Sequence, residues 1–178
     1  MRTLIASIEG EYRRYKTLAE GALDQLADSA LAADAGTGNS IATIVWHVSG
    51  NLKSRFTDFL TSDGEKPWRD RDSEFLARHV TRTELRAKWE DGWQVLFAAL
   101  ADLGDADLER TVAIRAQSLT VAEALHRSLA HASYHVGQIV YVAKALRGAD
   151  WQSLSIPPGQ SARYNQAPAL ERTPRPLR

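Results

Sequence analysis

The chain has 178 residues, 44% hydrophobic and 25% charged, with 22 Lys+Arg balanced by 22 Asp+Glu and no cysteine. That length buries about 70% of the unfolded surface in one core, so neither a disulfide nor a structural metal is needed for folding. The missing cysteine excludes a thiol nucleophile, an iron–sulfur cluster and a cysteine zinc finger; zero net charge without a long basic stripe argues against a dedicated nucleic-acid binder.

Four stretches carry helical periodicity. From Leu4 to Leu26 the residues Leu4, Ile8, Tyr12, Tyr15, Ala19, Ala22 and Leu26 recur at steps of four and three, which predicts a first helix with that face inward. After the loop Asp34–Gly38, Asn39 or Ser40 is placed to cap a second helix. Its apolar series Ile41, Ile44, Val45, Val48, Leu52, Phe56 and Phe59 runs toward a stop at Asp63-Gly64. The charged segment Glu65–Asp72 has no sustained period and predicts a long loop.

Thr81 with Glu84 has capping-box spacing and opens a third helix through Leu85, Trp89, Trp93, Leu96, Leu100 and Leu103. Thr111–Arg115 alternates briefly like a strand. A second capping-box pair, Thr120 and Glu123, opens a fourth helix that reaches Arg147 and meets its stop at Gly148. Prolines 157, 158, 174 and 176 mark an extended tail. The expected architecture is therefore all-α: a four-helix bundle over residues 1–150, a long loop between helices two and three, and a tail over 151–178. Trp46, Trp89 and Trp93 are expected to fill the core, and Tyr134 and Tyr141 to pack. The N-terminus meets charge too early for a secretory leader and no apolar run is long enough to cross a bilayer, so the expectation is a cytoplasmic protein away from membranes.

The five histidines differ in helical face. His131 and His135 are four residues apart on the fourth helix, one above the other, where they can converge on one ion. His47 lies within the apolar pattern of the second helix, followed at turn spacing by Asn51 and Arg55. If those helices pack together, three neutral imidazoles surround one divalent cation and leave a position open for water or substrate. The competing reading is three core histidines satisfied by hydrogen bonds. His126 faces away from His135, and His79 falls in the charged loop with no spaced partner; both are set aside. Ala132 follows His131, so the glutamate of H-E-x-x-H is missing and peptidase chemistry is not expected.

The run His131-Ala132-Ser133-Tyr134-His135-Val136-Gly137-Gln138, together with Trp46-His47-Val48-Ser49-Gly50-Asn51-Leu52, resembles the DinB-like superfamily of metal-binding four-helix bundles. Asp58–Trp68 looks like an uncharacterised branch of it, and the resemblance covers roughly residues 1 to 150. It implies a metal site of His47, His131 and His135, usually zinc or nickel, often in a homodimer, with some relatives acting as transferases or isomerases that use a low-molecular-weight thiol. On that expectation the cation lowers the pKa of a small-molecule thiol, Asn51 and Arg55 orient substrate, and Gln138 supports the site. Hydrolysis by metal-bound water is a variant of the same class, and a non-catalytic metal-binding or sensing dimer is the alternative.

Overall fold

The computed structural model describes residues 1–36 and 38–171. Four long helices dominate: α1 (Thr3–Leu23), α2 (Ile41–Phe56), α3 (Arg82–Ala101) and α4 (Val121–Arg147). Before α4 comes an antiparallel hairpin of β1 (Thr111–Ile114) and β2 (Gln117–Thr120), with Thr111 opposite Thr120 and Ile114 opposite Gln117. The strand-like excursion in the sequence is thus half of a real ribbon. A single turn of helix, α5 (Ser161–Tyr164), follows the bundle helices. Among the described residues no helix is long and apolar enough to cross a membrane.

Helix starts follow local chemistry where the sequence signalled them. Ser40 Oγ accepts from Thr43 N–H (3.2 Å), and both capping boxes form: Thr81 N–H donates to Glu84 (2.8 Å), and Thr120 N–H to Glu123 (2.7 Å). Gly148, at φ 61°, ends α4. No nearby side chain caps α1. Instead Asp105, beyond the end of α3, accepts from the N–H groups of Thr3, Leu4 and Ile5 at 2.7, 3.0 and 3.0 Å. Arg2 answers by donating to the carbonyls of Leu100 and Leu103 at the end of α3 (2.7 and 2.8 Å). The first and third helices are stapled end to end by charge on orphan backbone groups.

Several expectations are corrected. Helix α2 stops at Phe56, not near Gly64: the chain reverses through Asp58 at φ 49°, and Phe59 reaches the core from that turn. The turn is held because Ser54 donates to Gly64 O (2.5 Å), Gly64 N–H donates to Ala113 O (2.8 Å), and Asp63 accepts from the N–H groups of Arg115 and Ala116 (2.8 and 2.7 Å). Arg115 and Ala116 both have positive φ, which a tight right-twisted hairpin demands and non-glycine residues resist, so Asp63 stabilises a strained turn. On α1 the inward residues include Ile5 and Leu23, while Leu4 is 58% exposed. Trp89 and Trp93 are core residues. Trp46 is only half-buried, under the Arg78 and Lys88 side chains, and Tyr134 and Tyr141 are exposed.

Helix α2 packs most extensively on α3, α1 on α4, and α2 also meets α4. The α2–α3 approach depends on Gly92, where an added Cβ would lie 2.6 Å from Ser49 Cα. Backbone cannot yield as a flexible side chain can, so G92A should lose about 1–3 kcal/mol through overpacking, more than the helix-propensity gain of about 1 kcal/mol. G137A, in open space on α4, should be neutral or stabilising. Thermal melts of the two variants check the opposite signs.

Candidate metal centre

Helix α2 contributes His47 and α4 contributes His131 and His135, and the three rings meet between the helices. Ring centroids are 5.2 Å (His47–His131), 4.8 Å (His47–His135) and 4.6 Å (His131–His135) apart, with mutually steep planes. One ligand-capable nitrogen from each lies within 4.8 Å of the others. His47 Nε2 and His131 Nε2 are 3.2 Å apart. Two nitrogens each ~2.0–2.1 Å from a tetrahedral ion are about 3.3 Å apart, so this pair already has ligand spacing.

The outward nitrogens fix which lone pairs face inward. Glu74 accepts from His47 Nδ1 (2.9 Å) and is gripped by Arg69 through two bonds, Nε to Oε1 at 2.7 Å and Nη2 to Oε2 at 2.9 Å. Burial alone would raise the Glu74 pKa, but hydrogen bonds and charge from His47 and Arg69 hold it below the ordinary glutamate value. An ionised carboxylate only accepts, so the His47 proton sits on Nδ1 and Nε2 offers a lone pair. On α4, Gln138 Oε1 accepts from His135 Nδ1 (2.7 Å). His135 Nε2 is then left buried with no hydrogen-bond partner. An orphaned imidazole nitrogen beside two others at ligand spacing suits a metal ion, and the three residues could hold one.

The local field favours neutral rings. Burial, then the neighbouring His135, His47, Arg69 and Arg55, push His131 down to about 3; burial, with His47 adding and the Gln138 bond opposing, pushes His135 down to about 4. Both rings are therefore unprotonated and available as ligands at neutral pH.

Asn51 and Arg55, the expected substrate contacts, line a cavity of about 270 Å³ that opens on His47 and His131. Gln138 does not: it is exposed, lies beside a different groove with Tyr134 and Tyr141, and touches the site only through His135. His79 and His126 are exposed. Sequence reading missed Arg69 and Glu74, because their loop has no period and the Glu74 contact with His47, which Arg69 backs, spans 27 residues. The usable signal was chemical: a ligating histidine commonly has a carboxylate behind it, and that loop holds several. Gly50 was missed too. A Cβ there would fall on the Glu74 carboxyl, 2.8 Å from Cδ, so the glycine makes the space in which Glu74 reaches His47.

Two outcomes follow. G50A and E74Q should leave the fold intact and weaken zinc or nickel affinity about 10–100-fold, measured by competition with a chromophoric chelator. In the metal-free protein, His131 and His135 have folded pKa values below the unfolded ~6.5, so the unfolded chain binds more protons under acid conditions. Stability should thus fall as pH drops from about 6.5 toward about 4, and level off near about 3 where the folded rings also protonate. Urea midpoints between pH 7 and 4 check the slope, which H135A should reduce.

A family described as "Protein of unknown function (DUF1572)" matches residues 2–160. No curated protein and no solved structure matches the chain.

Proposed function

The chain belongs to the DUF1572 family, and on the strength of its three-imidazole site we propose that it is a DinB-like four-helix bundle acting as a metal-dependent transferase with a low-molecular-weight thiol. His47, His131 and His135 hold zinc or nickel and leave a coordination position open. The observation that carries this reading is the buried His135 Nε2 without a partner, facing two imidazoles at ligand spacing. A divalent ion bound there supplies Lewis acidity, lowering a bound thiol from about 8.5 so that thiolate is present at neutral pH.

The protein's own residues supply the rest. Glu74, locked by Arg69, holds the His47 ring and its tautomer; Gln138 does the same for His135. Asn51 and Arg55 orient substrate in the adjoining cavity. With no cysteine in the chain, the nucleophilic sulfur comes from the cosubstrate. The homodimer implied by the resemblance belongs to the same proposal, as does a bundle unit of residues 1–150 followed by a tail.

Protein purified without a histidine tag should carry about one equivalent of zinc or nickel by elemental analysis, and H135A should lose most of it while keeping its helical circular dichroism. Less than about a tenth of an equivalent, with no uptake on reconstitution, overturns the metal site. Transfer of a small thiol to an electrophile should vanish on stripping the metal and return on reloading. Stoichiometric metal without turnover of any thiol would instead assign the chain to non-catalytic metal-binding bundles.

A further inference from the structure

The cavity beside the histidines has a charge the overall composition hides. Five arginines line it, Arg55, Arg69, Arg71, Arg115 and Arg127, and no carboxylate does. Arg69 is committed to Glu74. Among the described residues the ion pairs of the other four involve two carboxylates, and Arg55 Nη1 also donates to Gly64 O. Glu65 is shared, at 2.7 Å from Arg115 Nε but only 3.4 Å from Arg55 Nη1. Asp72, whose side chain is 98% exposed, lies 3.8 Å from Arg71. Arg127 has no ion pair or hydrogen bond among the described residues. Asp63, whose charge also acts on Arg55, has its oxygens turned to the backbone N–H groups of Glu65, Arg115 and Ala116.

Guanidiniums gathered around a partly enclosed space repel one another, and partial burial strengthens that repulsion. Arg55 registers it: burial first, with Arg69 and Arg115 adding, lowers its pKa against the pull of Glu65. The cavity wall also presents the neutral amide side chain of Asn51. Arg127, without an ion pair among the described residues, and Arg71, beside only an exposed aspartate, make the pocket the complement of an oxyanion, with Arg55 and Arg115 adding to the field.

We propose that this cavity binds a small molecule carrying carboxylate or phosphate groups, held by Arg71 and Arg127 in the positive field of Arg55 and Arg115, with Asn51 supplying a neutral hydrogen bond. This deepens the transferase reading by giving the substrate class of the same site, and rests on that reading only for the ligand's role in a reaction. A volume of about 270 Å³ is at the lower limit of small-molecule sites, which begin near ~300 Å³, so the ligand is a compact metabolite rather than a polymer. The cavity is continuous with His47 and His131, so an anion at the arginines sets the remainder of the molecule against the metal centre.

Calorimetric titration of inorganic phosphate and, separately, succinate into the full-length protein tests this, in zinc-loaded and metal-free forms at low ionic strength. At least one probe should bind, and which one separates a phosphate from a carboxylate ligand; neutral succinamide should not. R71Q and R127Q alter exposed side chains outside the core and should fold normally, each weakening the bound anion about tenfold, with R127K recovering part of the loss. The proposal is overturned if neither probe binds either form, if succinamide matches succinate, or if the R71Q/R127Q double variant binds as the wild type does. Anion binding that persists in protein unable to take up zinc would support the cavity while defeating the metal reading; zinc uptake without anion binding would do the reverse.

Discussion

Three imidazoles turned toward one another inside a helical core define this protein. Burying a polar nitrogen without a partner costs on the order of 1–3 kcal/mol, so a sequence selected for stability alone would place leucine or valine there. The surroundings instead satisfy the outer nitrogens of His47 and His135, leave His135 Nε2 without a partner and set His47 Nε2 against His131 Nε2. Glu74 is ionised behind His47, Arg69 grips Glu74 with two bonds, and Gly50 omits the one carbon that would push Glu74 away. Each feature loses its purpose without the next, and together they aim lone pairs at a common point.

That arrangement is affordable because the fold is secured elsewhere. Trp89, Trp93, Tyr12 and the leucines of α3 are buried in a continuous apolar core. Asp105 and Arg2 tie the start of α1 to the end of α3, and Asp63 pins the hairpin to the turn after α2. These supports are long-range but lie outside the imidazole cluster. The fold can therefore tolerate the unsatisfied His135 Nε2, the kind of local inconsistency expected at a working site.

Legibility in the sequence divides along the range of the interactions. The starts of α3 and α4 were readable because a capping box is complete within four residues, and the His131–His135 pair because helical geometry alone puts both on one face. His47 was legible from its place within an apolar row. The end of α2 was not, because Phe59 continues the period although the chain has already turned; its burial comes from the turn docked against the hairpin. Trp46 misled in the opposite sense: its size suggests a core, but Arg78 and Lys88 cover it at the surface. Glu74 and Arg69 were invisible to periodicity of any kind, since an irregular loop encodes its contacts only in three dimensions.

That loop is where the two halves of the site meet. Arg69 and Glu74 steady the histidine end, while Arg71, two residues along, belongs to the cationic cavity. The short turn at Asp72–Phe75 packs on α2, with the Phe75 ring 4.8 Å from that of His47. A balanced total of 22 basic and 22 acidic residues therefore conceals a partition: carboxylates are spent on helix starts, on the hairpin and behind His47, and guanidiniums are left facing the cavity. Net charge describes behaviour toward bulk partners such as nucleic acid, and says little about a pocket where a few charged groups set the field. A neutral protein can thus hold a cationic site, and here the same loop that orients His47 also carries part of that charge.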